Sequence, residues 1–188
     1  MRPFTLPKLN LRKISRNFKQ SMTGLAKGGF QKIFEQIDQL GIKKGVDQLG
    51  IDRFIQQCAL LAAGSGAITG AGGVTSMLIG VPVDMINLIT QQFRVTLAIS
   101  YHRTGSYKIR FDDFFKIVAS SLKVDAGMAM TKNIMEEVAE KLMLNIGSKT
   151  AERLVPVVGA VVGASANYIF IKRVADNLMK EKVTKIDI

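Results

Sequence analysis

From Phe54 to Val83 the chain runs thirty residues without a charged side chain. Such a stretch has to be covered, either by the rest of the protein or by a bilayer. Its small residues narrow the choice. Ala59, Ala62, Gly66, Gly70 and Gly73 step by three, four, four and three, which puts them on one face of a helix. A face without side chains lets a second helix approach backbone to backbone. Another charge-free stretch, Leu154 to Ile171, carries Gly159, Gly163 and Ala166 in the same way. The two are expected to cross tightly at the centre of a compact all-α domain. The pattern predicts a first helix from Phe54 to about Gly73 and a second opening at Pro156.

Composition supports helix. Only four of the 188 residues are Pro, and β-branched alternation is rare. Hydrophobic residues make up 47% of the chain and the mean hydropathy is +0.19. That is greasy for a soluble protein and too low for a polytopic membrane protein. One domain, or one domain with an arm, is expected at this length. The lone cysteine, Cys58, excludes a disulfide within the sequence and suits a reducing compartment.

The formal charge of +11 is uneven: the first 34 residues hold eight Lys/Arg and no acid. Pro3 and Pro7 hold the first residues extended. Leu11, Ile14, Phe18, Met22 and Leu25 then recur at three- and four-residue steps, with Arg12, Lys13, Arg16, Lys19 and Gln20 on the other side. This is a basic amphipathic helix. Three readings compete. It lies on an anionic bilayer with Phe18 inserted, each basic residue contributing about 1 kcal/mol. It is a transit peptide, a reading that Ser15 and Ser21 favour. Or it packs its stripe on the domain and leaves a solvated charged face. A secretory signal is excluded, because no uninterrupted apolar core follows the charges.

The organisation read from these features is an arm over 1–34, a short helical connector over 35–53, a helical domain over 54–182 and a tail over 183–188. Gly28 and Gly29 are expected to loosen the first helix, and Phe30, Ile33, Phe34, Ile37 and Leu40 to share a face. Ile37-Asp-Gln-Leu-Gly-Ile42 recurs nine residues later as Val46-Asp-Gln-Leu-Gly-Ile51. A nine-residue period suits neither a coiled coil nor a solenoid. Gly41, Gly45 and Gly50 therefore read as punctuation between short helical pieces.

Sites of chemistry are scarce. Gly64-Ser-Gly66-Ala-Ile-Thr-Gly70 has neither dinucleotide spacing nor a following Gly-Lys-Ser/Thr. Asp84, Asn87, Gln91 and Arg94 form a polar stripe on an otherwise apolar helix. It is either a half-exposed edge or a buried network in which Asp84 pairs with a basic group. Arg103 and Gly105 read as the capping of that helix. His102 is the only histidine and reads as an exposed helix-end residue. Asp112 and Asp113 suit the first turn of a helix begun by Phe111, Phe114 and Phe115. Glu136, Glu137 and Glu140 alternate with Lys132 and Lys141 as on a solvated face. Neither a Ser-His-Asp arrangement nor a four-ligand zinc site can be assembled. Nothing calls for a cofactor or a metal, and no enzyme is expected.

Gly80-Val-Pro-Val-Asp84, Arg94 and Tyr101-His-Arg-Thr-Gly105 form one pattern with Pro156-Val-Val-Gly-Ala-Val-Val-Gly163-Ala-Ser-Ala-Asn167-Tyr-Ile-Phe downstream. Over roughly residues 55–180 it resembles the EcsC family of bacterial proteins. It departs at Tyr101-His102, where the family tends to have Tyr-Gly. The resemblance implies an all-α domain associated with bacterial membranes and cytoplasm, without established enzymatic activity. It singles out Asp84, Arg94, Gly159, Gly163 and Asn167. The expected function is a peripheral protein at the cytoplasmic face, binding an anionic membrane surface through its arm, with a membrane protein as a second partner. One alternative inserts the charge-free spans as a helical hairpin. Their thirty and eighteen residues compare with the ~20 needed, but six glycines between Gly64 and Gly80 weaken it. The other is a nucleic-acid binder, disfavoured because only Phe4 and Phe18 offer stacking surface in the first twenty residues.

Overall fold

The computed structural model describes residue 20 and residues 22–64, 81, 83–125, 131–147 and 158–180, with 143–147 and 158–164 as backbone only. Every regular element among these residues is a helix, and there is no strand among them. A π turn at Leu25–Gly29 leads into α1 (Phe30–Glu35), α2 (Gln39–Leu49), α3 (Ile51–Ala63), α4 (Val83–Thr104), α5 (Phe111–Ser121), α6 (Lys132–Gly147) and α7 (Val158–Lys180).

The axis of the fold is α4. Its buried residues, Ile86 to Ile89, Gln91 to Phe93 and Val95 to Ile99, cover almost its whole circumference, as in a helix surrounded by others. On one side it meets α3 and α7, which also pack on each other. The face of α3 that makes this contact is built from Phe54, Ile55, Cys58, Ala59 and Ala62, all buried.

The other side of α4 is aromatic. Phe93 lies about 200° round the helix from Gln91. Its ring touches those of Phe30 (6.1 Å between centroids) and Phe114 (4.8 Å). Phe34, Phe111 and Phe115 complete a set of six rings that joins α1, α4 and α5. Each such pair contributes about 0.5–1.5 kcal/mol beyond its area burial. The spacing of Phe111, Phe114, Phe115 and Val118 does form the predicted helix. Asp112 and Asp113 sit in its first turn, and Arg110, the residue before it, pairs with Asp113 at 2.9 Å.

The borders differ in places from those expected. The break between 34 and 35 falls inside α1, and Leu25, Phe30, Ile33 and Phe34 share one core with Phe93 and Phe114. The break between 53 and 54 falls inside α3, and Ile42 and Val46 of α2 join the same core. Gly41 and Gly45 do not punctuate: both lie within α2. Gly45 is there because the Phe54 ring lies on it, and a Cβ would come within 2.7 Å of that ring. Gly50 does separate two helices, at φ +78°, and Gly28 breaks the π turn at φ +102°, both conformations that glycine adopts most readily. α3 begins at Ile51 and stops at Ala63 rather than near Gly73, because Gly64 turns to an extended conformation and its N–H caps the Leu60 carbonyl.

The charged faces behave as solvated surface. On α6, Lys132 pairs with Glu136 (3.6 Å) and Lys141 with Glu137 (3.2 Å). Gly105, at φ +72°, donates its N–H to the Tyr101 carbonyl and ends α4 as expected. No helix among the described residues is long and apolar enough to cross a membrane.

The end of α5 carries a testable strain. Lys123 donates its N–H to Ser120 and Val124 to Ala119, a Schellman arrangement with Lys123 at φ +57° where glycine is usual. Lys141 donates to the Lys123 carbonyl, which helps to hold the strained turn. Lys123→Gly relieves the left-handed penalty, less the extra freedom glycine has when unfolded. Stability should rise by about 0.5–1 kcal/mol, read as a higher urea midpoint at constant m-value. An unchanged or lower midpoint would contradict this account.

Candidate functional site

A helix ends with carbonyls that have no partner of their own. In α3 the Leu60 carbonyl is taken by Gly64, and no basic residue stands in the last turn to serve the rest. The next two are met from outside. Asn87 of α4 donates its Nδ2 to the Leu61 carbonyl at 2.9 Å. Asn167 of α7 donates its Nδ2 to the Ala62 carbonyl at 3.0 Å. Gln91, one turn on from Asn87, donates its Nε2 to Asn87 Oδ1 at 3.2 Å. That bond holds the asparagine amide with its NH₂ towards α3.

The same face continues along α4. Arg94, two turns after Asn87, places its guanidinium 5.6 Å from the ring centroid of Phe54, two turns before Leu61. The two helices therefore run antiparallel here. The Phe54 ring lies between Arg94 and the bare backbone of Gly45. Cys58, between Phe54 and Leu61 in the chain, is buried, and burial pushes its thiol up to about 11 against the opposing pull of Arg94. A thiol so protonated is a packing group and a poor nucleophile.

The predicted polar stripe is thus divided. Asn87 and Gln91 are buried, Arg94 and Asn167 are half-buried, and Asp84 is exposed at the start of α4. Asp84 is not part of the amide network. Sequence reasoning also missed Gln92 and Thr96, which are buried too. Gln92 stands 100° away from Gln91, outside the stripe. Of its neighbours at helical spacing, Leu88, Ile89 and Val95 are apolar and only Thr96 is polar, and that was the signal available. Both amide atoms of Gln92 and the Oε1 of Gln91 lack partners among the described residues.

Two surface clusters lie elsewhere. Tyr101 donates its hydroxyl to Asp47 Oδ1 at 2.7 Å, and Lys43 pairs with the other carboxylate oxygen and lies 5.4 Å from the tyrosine ring centroid. The hydrogen bond between Lys43 and Asp47 raises the lysine and lowers the aspartate. This trio, with Asp47 exposed and Lys43 and Tyr101 half-buried, ties α2 to α4. Gln39 accepts the Ile109 N–H at 3.0 Å and donates to the Ile109 carbonyl at 3.3 Å. It thereby pins the non-helical segment 106–110 beside a groove of about 620 Å³ lined by Gln39, Leu40, Tyr107, Lys108, Ile109 and Arg110. His102 is exposed, and no group of three His, Cys, Asp or Glu able to hold a metal occurs among the described residues.

Of the remaining candidates, Arg12, Lys13, Arg16, Phe18, Lys19, Gly66, Gly70 and Gly73 lie outside the described residues. Gly159 and Gly163 lie in the first turns of α7. At the near end of the arm, Leu25 is fully buried and Met22 packs half-buried on the core, while Lys27 and Lys32 are exposed. No protein-family model, curated protein or solved structure matches the chain.

Three outcomes follow from the chemistry of this junction. Asn87→Asp keeps the shape but replaces a donor by a carboxylate aimed at the negative end of α3. It should lower the urea midpoint more than Asn87→Ala, whose loss is about 1–3 kcal/mol; the reverse order would refute capping. Gln92→Leu removes an unpartnered buried amide and should stabilise by about 1–3 kcal/mol in the same assay. For Cys58, the folded state holds its proton more tightly than the unfolded one, whose ordinary value is 9.0. The associated stability is present below pH 9 and is lost as the pH climbs towards about 11. Cys58→Ala should flatten the stability profile across that window, measured by denaturant titration at each pH.

Proposed function

We propose that the chain is a non-catalytic protein of the EcsC type that binds the inner face of a bacterial membrane peripherally, through its basic arm. One observation carries this reading: eight Lys/Arg and no acid within the first 34 residues, with Arg12, Lys13, Arg16 and Lys19 placed opposite an apolar stripe. The stripe's last members, Met22 and Leu25, are engaged by the core. In this reading they attach the arm to the body, while Phe18 enters the lipid boundary and Arg12, Lys13, Arg16 and Lys19 meet anionic headgroups. For a helix lying in the interface, buried apolar area and attraction of a basic cluster to anionic lipid add to the binding. The membrane-protein partner stays with this proposal as a second attachment.

Liposome flotation tests it. The full chain should rise with vesicles containing phosphatidylglycerol, should stay behind with phosphatidylcholine alone, and should be released by salt. Replacing Arg12, Lys13, Arg16 and Lys19 by Ala removes on the order of 4 kcal/mol, about three decades of partitioning. Equal recovery with neutral vesicles, or no loss in that variant, would overturn the reading. A protein that ignores vesicles but binds duplex DNA with a steep salt slope is a nucleic-acid binder instead. Resistance to alkaline carbonate extraction would point to the inserted hairpin.

A further inference from the structure

We draw no further inference here: the strongest candidate, the buried amides of Gln91 and Gln92 on α4, carries none, because nothing among the described residues shows what meets their unpartnered atoms, and Arg94 and the carbonyl end of α3 set opposing fields on any charged occupant.

Discussion

The last turn of α3 is the point on which the arrangement of the three central helices depends. A helix C-terminus exposes unpaired carbonyls and the negative end of the macrodipole. The usual remedy is a lysine or arginine close by, but this end falls inside a thirty-residue stretch without charge. The donors come instead from two other helices, Asn87 on α4 and Asn167 on α7, at adjacent carbonyls. Apolar burial is non-directional and would tolerate sliding of one helix along another. Two amides aimed at consecutive carbonyls do not, since a one-residue rotation of α4 swings Asn87 by 100°. The hydrogen bonds are modest in energy, and what they add is register.

This gives the two sides of α4 different roles. Towards α3 it presents polar groups with defined partners, continued by Arg94 over Phe54. Towards α1 and α5 it presents Phe93 within a set of rings that makes contact without specifying position as sharply. Polar groups on α4 outside the capping face are treated otherwise. Thr90 and Thr96 return their hydroxyls to their own backbone, to Ile86 and Gln92, and need nothing from neighbouring helices. Gln92 has no such recourse, because its amide is too long to fold back. It is the one polar side chain of the helix that sits fully buried with no partner among the described residues.

Much of this was legible in the sequence, for reasons that can be named. The helical class, the start of α5, the ion pairs of α6 and the Gly105 cap all follow from local spacing, which local physics enforces. The stripe of Asn87, Gln91 and Arg94 was visible from its phase, and Asn167 from its place on an apolar surface. What could not be read was the partner: a carbonyl looks the same at every residue, so nothing in Leu61 or Ala62 announces that an asparagine will reach it. Gly41 and Gly45 misled because a glycine tolerated by close approach and a glycine that breaks a helix are spelled alike. Only their tertiary neighbours tell them apart: the Asp38 side chain against Gly41, and against Gly45 the ring of Phe54, nine residues further on. The end of α3 at Ala63 was hidden for a similar reason, since Gly66 and Gly70 continue the small-residue spacing whether or not the helix does.

The distribution of charge separates the body from the arm more clearly than the fold does. Residues 35–188 hold eighteen Lys/Arg and fifteen Asp/Glu, and several of these are matched locally: Lys43 with Asp47, Arg110 with Asp113, Lys132 with Glu136 and Lys141 with Glu137. Exposed pairs of this kind add little to stability, but each cancels its own field at a distance. The first 34 residues contain no acid that could do the same. Beyond a screening length of ~8 Å, closely paired charges largely vanish to an approaching partner while an uncompensated cluster persists longest. An anionic surface would therefore sense the arm before the body. The capped and aromatic core holds Leu25 and Met22 fast, so under the proposed function a surface that the arm bound would be bound by the whole domain.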